Sequence, residues 1–323
     1  MKKALITGVY GQDGSYLAEL LTAKNYEVYG LRRKELSANS LKIKNYLQKI
    51  GVTPVEVVAD LTDYVELKNT LREINPAEIY HLAVLHQSSE ESTAENILYN
   101  KNICAASNLL AITSEFLKPA KVVLAGSCLM FDNSPMQRQT EKTLFNSGSL
   151  YGLEKIAENQ LAQYYRAKGM FVCNAILYNH ESSRRSDNFV TKKIVKNMIA
   201  IKKGQIKQFA LGNLTAQKDW GYAKDYALGM WLMLQAKIAA DYILATNKLA
   251  TIADFIEICA SHLELKEWRN FIQVDESIIT RKIKTTLVGD YSKAKEDLGW
   301  DHSMDLNGLV ELMLKNELNN ELI

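Results

Sequence analysis

Cysteine, proline and charge of one sign are all scarce in this chain. Its 323 residues hold four cysteines and four prolines. Cys104, Cys128, Cys173 and Cys259 lie far apart with no Cys-x-x-Cys pair, which excludes a disulfide framework and a thiolate metal site. Three of them sit in apolar runs, where a thiol behaves as a small hydrophobe. The five histidines show no metal-ligand spacing, so no metal is expected. A formal net charge of +2 calls for neither nucleic acid nor an anionic membrane surface as partner. No apolar run reaches spanning length, and Met1-Lys2-Lys3 enters a strand without a signal-peptide core. These absences together point to a reducing, cytoplasmic setting. With so few prolines, domain boundaries are weakly marked, and neither a low-complexity linker nor a repeat is visible. What is present is ordinary globular composition, 47% hydrophobic and 24% charged, at a length that suits one large α/β unit with a smaller lobe.

The first thirty-four residues organise the rest. Ala4-Leu5-Ile6-Thr7 is a short apolar strand, and Gly8, Gly11 and Gly14 follow at three-residue spacing. Tyr16 to Leu21 reads as a helix and Glu27 to Leu31 as a second strand. A glycine-punctuated turn between strand and helix lets backbone approach a pyrophosphate closely while the helix N-terminus faces its negative charge. Glycines at this spacing also occur in plain surface loops; the position between strand and helix is what selects the nucleotide reading.

Further strands are expected at 55–59, 78–82, 121–125 and 171–178, and helices at 64–74, 92–116 and 149–168. Strands alternating with helices at these lengths imply a Rossmann-type, doubly wound parallel sheet. Ligands bind such sheets beyond the carboxyl ends of the strands, where Gly8, Arg32, Asp60, His81, Ser127 and Asn179 fall. Past residue 180 the alternation becomes irregular: 182–193 is polar and basic, 204–219 mixes strand and loop, and helices are expected at 224–236, 251–263 and 291–298. The expected division is therefore a dinucleotide-binding domain at 1–178, followed at 179–323 by a mainly substrate-binding lobe of discontinuous segments.

Two sites follow from residue chemistry. At the end of the second strand, where an acidic side chain normally holds the adenosine ribose, stand Arg32, Arg33 and Lys34. Guanidinium groups favour a 2′-phosphate that an aspartate would repel, so NADP is expected over NAD; a solvated basic turn is the alternative. Second, Ser127 closes the fifth strand, and Tyr151 and Lys155 open the next long helix at i and i+4, on one face. A phenol has an ordinary pKa of about 10, and a neighbouring ammonium together with a cationic nicotinamide favours the phenolate as general base. A serine hydroxyl can orient a substrate alcohol. Tyr64/Lys68, Tyr164/Lys168 and Tyr291/Lys295 share the spacing, but only Tyr151 begins a helix following a strand that ends in serine.

With these residues in place the chain resembles the extended short-chain dehydrogenase/reductases that act on nucleotide sugars, and within them the GDP-mannose 4,6-dehydratases. The resemblance rests on Thr7-Gly8 with Gly11-Gln12-Asp13-Gly14-Ser15-Tyr16, on Asn179-His180-Glu181-Ser182 with Arg184-Arg185, and on Phe189-Val190-Thr191 with Lys193. Leu211-Gly212-Asn213-Leu214, Asp219-Trp220-Gly221 and Leu298-Gly299-Trp300 extend it nearly end to end. It implies redox roles for Ser127, Tyr151 and Lys155. It further implies cofactor contacts from Gly8, Gly11, Gln12, Asp13, Gly14, Arg32, Arg33, Asp60, Leu61, Leu82, Ala83, Tyr151, Lys155 and His180. Substrate contacts are implied for His86, Asn179, Lys193, Lys218 and Arg281, with a GDP-hexose as the implied substrate and a homodimer or homotetramer as the implied assembly. Arg184, Arg185, Lys192 and Lys193 form a basic run that suits a second diphosphate or a solvated face.

Three positions depart from the family pattern. Lys218 replaces an arginine, keeping a point charge but losing the bidentate fork. Arg281-Lys282-Ile283-Lys284 lacks the family's Pro and Glu, which leaves the base open. Most consequential is Leu129, standing where the family places the glutamate that moves protons between C5 and the departing C6 hydroxyl. Leucine can do neither, although the loop 86–91 carries acidic residues able to substitute. C4 redox needs only the triad and cofactor, so reduction, dehydrogenation or epimerisation of a 4-keto sugar stands beside dehydration. A cofactor-binding protein without catalysis is the reading from another class.

Overall fold

A computed structural model describes residues 1–85, 95–135, 138–278, 286–319 and 322. The first half alternates as the apolar runs predict. It runs β1 (Lys2–Thr7), α1 (Gln12–Ala23), β2 (Tyr26–Arg32), α2 (Ala38–Lys49), β3 (Val55–Val58), α3 (Tyr64–Ile74) and β4 (Glu78–His81). There follow α4 (Glu95–Phe116), β5 (Lys121–Ala125), a 3-10 turn at Cys128–Phe131, α5 (Leu150–Ala167) and β6 (Val172–Leu177). The strands read as continuous apolar runs because both faces of a parallel sheet are covered; all six residues of β6 are buried.

Side chains alternate strictly between two cores. Ala4, Ile6, Tyr80 and Val123 face one side, while Leu5, Ile79, Val122 and Leu124 face the other against α3 and α4. Local signals mark the helix ends. The Asp63 carboxylate accepts from the Val65 and Glu66 amides to start α3 where the sequence places it.

The chain continues through β7 (Asn179–Glu181), α6 (Val190–Lys202), β8 (Phe209–Leu211), β9 (Gln217–Lys218), β10 (Trp220–Tyr222), α7 (Ala223–Gln235) and β11 (Tyr242–Leu244). It ends with β12 (Ala250–Thr251), α8 (Ile252–His262), β13 (Ile272–Val274), α9 (Ser292–Leu298) and α10 (Leu306–Asn319). A full capping box, Thr251 with Asp254, starts α8. β7 pairs with β10, β8 with β13 and β9 with β12, three small two-stranded sheets.

The main sheet is seven-stranded and parallel, in the order β11-β6-β5-β4-β1-β2-β3. Its seventh strand, β11, comes from beyond residue 178, and α7 packs against α1. Strand order reverses between β1 and β4, so the crevice opens there, beyond Thr7 and His81. Helices α2, α6 and α10 are additions to the sequence reading. α6 begins inside the polar run 182–193, because its apolar face of Ile194, Val195 and Met198 emerges only after the basic residues.

Candidate active site

The glycine turn is built around close backbone contact. Gly8 has φ +75° and donates its N–H to the Leu31 carbonyl at 3.0 Å. Gly11 returns a bond to the Gly8 carbonyl at 2.9 Å and caps α1 without any side chain. A Cβ on Gly14 would strike the Gly8 carbonyl and the Val9 backbone, so only glycine fits. Thr7 Oγ1 accepts from the Leu82 and Ala83 amides at 3.1 and 3.0 Å, drawing the loop after β4 against the turn. With both lone pairs used, the Thr7 hydroxyl directs its proton to His81 Nδ1, 3.0 Å away. Burial, with the Lys155 charge adding to it, pushes His81 down to about 3, so it is a neutral imidazole. The bare amides of α1, the side-chain-free cradle and the adjoining Leu82–Ala83 backbone fit a dinucleotide pyrophosphate.

Gln12, Asp13 and His180 also meet at this end. His180 Nε2 lies 3.0 Å from Asp13 Oδ2 and Nδ1 lies 2.7 Å from the Tyr178 carbonyl, with the ring stacked on Tyr226. Both neighbours are acceptors, so both ring nitrogens carry protons. Gln12 bridges the His180 carbonyl and the Ser182 hydroxyl. Asp60 accepts from the amide and hydroxyl of Thr62, at 2.8 Å each, in a turn at the end of β3, and these bonds hold its carboxylate below the usual range. Leu61, in the same turn, offers its carbonyl to Asn108.

The basic end of β2 is more complicated than its sequence. Arg32 Nε contacts Glu56 Oε2 at 2.6 Å, Lys44 pairs with the same carboxylate, and the Tyr10 hydroxyl donates to Glu56 Oε1 at 2.8 Å. Burial works against the Glu56 charge, but its bonds from Lys44, Tyr10 and Arg32 bring it to about 2. Arg32 is therefore already paired, whereas Arg33 is exposed and meets no acceptor among the described residues. Glu56 was missed in the sequence because nothing local ties it to residue 32.

Ser127, Tyr151 and Lys155 converge where β5 meets α5. Ser127 is buried and its Oγ accepts from the Leu129 amide at 3.2 Å, opening the 3-10 turn. Ser149 caps α5 through the Gly152 amide, and Asp132 holds both Ser149 and Gly148. A Cβ at Gly152 would collide with the Leu129 carbonyl, so the first turn of α5 packs directly on the serine turn. Lys155, 4% exposed, places Nζ 5.8 Å from the Tyr151 ring centre.

Two glutamates, missed in the sequence because acids on a helix read as a solvated face, flank that lysine. Nζ bonds Glu158 at 2.9 and 3.1 Å and lies 3.6 Å from Glu154 Oε1. Burial would lower Lys155, but the charges of Glu158, Tyr151 and Glu154 more than offset it and raise it. Tyr151, in contrast to the sequence expectation, is held above its ordinary value: burial dominates, the Lys155 charge lowers it, and both glutamates oppose the lysine.

Asn179 lies in β7 opposite Trp220. Lys193 is half-buried in the first turn of α6, and Lys218, in β9, is close enough for its charge to act on the Cys128 thiol. Leu129 is half-buried and packs with Phe145 against Cys128, Phe131, Ile176 and Tyr178. The basic run is dispersed. Arg184 is 1% exposed, pairs with Glu19 and lies over the Tyr16 ring; Arg185 binds Glu181 at 3.1 Å; Lys192 binds Glu317. The second-diphosphate reading of that run is thereby reduced to Lys193. His86, the acidic loop 86–91 and Arg281 lie outside the described residues. Among the described residues no cluster of His, Cys, Asp and Glu is placed to hold a metal, and no helix is long and apolar enough to cross a membrane.

Known proteins share this fold and, in part, this sequence. Among solved structures, dTDP-glucose 4,6-dehydratase from Bacillus anthracis in complex with NAD superposes with a TM-score of 0.84 at 17% identity, covering 99% of this chain and 98% of that one. RMD from Pseudomonas aeruginosa, complexed with NADPH, gives 0.78 at 17%, covering 98% and 99%. At these identities the likeness is one of fold. In sequence, GDP-mannose 4,6 dehydratase 2 of Arabidopsis thaliana is 38% identical over 328 aligned positions, 98% of this chain and 87% of its own. The family model for GDP-mannose 4,6 dehydratase matches residues 5–313, and the chain belongs to that family.

Proposed function

We propose that this protein is an NADP-dependent enzyme that transfers hydride at C4 of a nucleotide-diphospho sugar, a GDP-hexose by family. The observation that carries the reading is the Tyr151–Lys155 pair at the start of α5, packed on the Ser127 turn, with the Lys155 charge acting on His81 at the end of β4. The bound nicotinamide would accept or return the hydride. Ser127 orients the sugar C4 hydroxyl, and Tyr151 takes its proton as general base. Lys155 and the positive nicotinamide ring counter the burial that raises the Tyr151 phenol.

NADP is favoured by the exposed Arg33 and by Arg32 and Lys44, two cations against the single Glu56 carboxylate. Gly8, Gly11, Gly14, Leu82 and Ala83 would hold the pyrophosphate and ribose by backbone contact. Asn179, Lys193 and Lys218 would meet the sugar diphosphate, and a homo-oligomer is the assembly in keeping with the family.

A second reading, C4 reduction, dehydrogenation or epimerisation without loss of water, is favoured by Leu129. Its side chain is packed among apolar neighbours and can carry no proton between C5 and the C6 oxygen. Incubation with GDP-mannose and NADP⁺, followed by mass spectrometry and C5-hydrogen exchange, separates these readings. A keto product of unchanged water content with retained C5 hydrogen supports redox alone, and product short of one water refutes the disabling role of Leu129. Tight cofactor binding without turnover of GDP-, UDP- or CDP-sugars would overturn the enzymatic reading.

A further inference from the structure

The Lys155 ammonium is bracketed by two carboxylates from its own helix, and the two differ. Glu158 makes a bidentate contact with Nζ and is 1% exposed. Glu154, 2% exposed, binds the Asn102 amide of α4 through Oε2 at 2.9 Å and leaves Oε1 buried with no hydrogen-bond partner among the described residues, 3.6 Å from Nζ. Asn102 itself bonds both the amide and the carbonyl of Leu85, so it cannot turn to complete the carboxylate. A buried carboxylate oxygen with only a long ion pair to an ammonium already bound by another carboxylate is an uncomfortable place for a full negative charge.

We infer that Glu154 is a positioning residue of this site, acting through Lys155: whether it carries a proton sets how strongly the lysine favours the Tyr151 phenolate. Burial raises Glu158 as well, and the charge and bonds of Lys155 oppose it. With Glu158 ionised against the ammonium and Glu154 neutral, the pair balances and the ammonium still faces Tyr151. With Glu154 ionised, the three groups carry a net negative charge beside the phenol. Burial, aided by Glu158 and opposed by Lys155 and Asn102, raises Glu154 to about 7, so the change falls within the physiological range. Among the described residues the titratable and polar groups near Glu154 come from four elements. Tyr151, Lys155 and Glu158 face it along α5, Asn102 reaches it from α4, neutral His81 faces Lys155 from β4, and the Cys128 thiol faces Tyr151 from the serine turn. The mechanistic meaning rests on Tyr151 being the base; the electrostatic coupling does not.

The test therefore reads Tyr151 itself. In full-length protein labelled with ¹³C at tyrosine Cζ, the Tyr151 signal is identified by its loss in Tyr151→Phe and titrated with and without NADP⁺. Wild type should show a small step near neutral pH ahead of phenol ionisation. Glu154→Gln should remove that step and lower the Tyr151 midpoint by about half a unit or more, roughly a threefold gain in phenolate at fixed pH. Glu154→Asp, which keeps the charge but draws it back, should retain a step at a displaced pH and serves if the glutamine variant does not fold. A Tyr151 titration with no neutral step in wild type, or one identical in the folded variants, would overturn the inference. Because no sugar is turned over, a protein inactive on GDP-mannose can still pass this test, and an active one can still fail it.

Discussion

Asp13 and His180, 167 residues apart, meet at 3.0 Å and clasp the first turn of α1 to β7. Burial disfavours both charges. The His180 charge nonetheless holds Asp13 below its ordinary value, and Asp13 raises His180 above its own. The stabilisation from His180 is complete below the ordinary imidazole pKa and is lost as pH rises through the raised value. That from Asp13 is complete above the ordinary carboxylate pKa and is lost as pH falls through the lowered one. The clasp is thus fully engaged between about pH 4 and 6.5. Asp13→Asn should cost about 1.5–3 kcal/mol in that window, as for a hydrogen bond to a charged group, and less at alkaline pH. Thermal melts across pH check this; a cost that grows with alkalinity would contradict it.

Tyr151→Phe should lower turnover by about 10²–10⁴-fold, the usual share of a general base, with cofactor affinity little changed. Single-turnover absorbance at the reduced-nicotinamide band and a cofactor titration give the two readings. Activity near wild type would remove Tyr151 from the base role.

Leu129→Glu should introduce or raise exchange of the C5 hydrogen with solvent and loss of water from a GDP-hexose. The new carboxylate would sit on the turn that Ser127 opens. Deuterium incorporation from D₂O, followed by mass spectrometry, reports it. No gain in a folded variant would mean that residue 129 is not what limits elimination.

Cofactor choice should answer to a balance of charges rather than to one arginine. Arg33→Ala should weaken NADP relative to NAD by about tenfold, one charge-assisted contact. Glu56→Gln should strengthen NADP, since it frees Arg32 and Lys44 from their shared carboxylate. Dissociation constants for both cofactors measure the ratio. An unchanged ratio in both variants would place the 2′-position of the ribose elsewhere.

Much of the fold is legible along the chain because its signals are local. Helix α3 begins at a capping aspartate and ends at Asn75 with φ +49°, and its limits match the apolar spacing. β5 likewise coincides with the run Lys121–Ala125. Helix α2 is harder to see: the stretch 38–49 is mostly polar and buries only Ile43 and Leu47, so its apolar stripe is thin. The seventh strand, β11, is three residues long and gains its identity from pairing with β6.

The amino-acid order by itself determined the glycine-punctuated turn, the strand-helix alternation and the element ends on which Ser127, Tyr151 and Lys155 stand, since each depends on neighbours within a few residues. What only the tertiary structure decided is the electrostatic state of those parts. Arg32 meets Glu56, Arg184 meets Glu19 and Lys192 meets Glu317 across long separations. Glu154 and Glu158, though near Lys155 in sequence, acquire their effect from burial beneath α4. Charge and hydrogen-bond pairing depend on distance and dielectric, and both are set when the layers close.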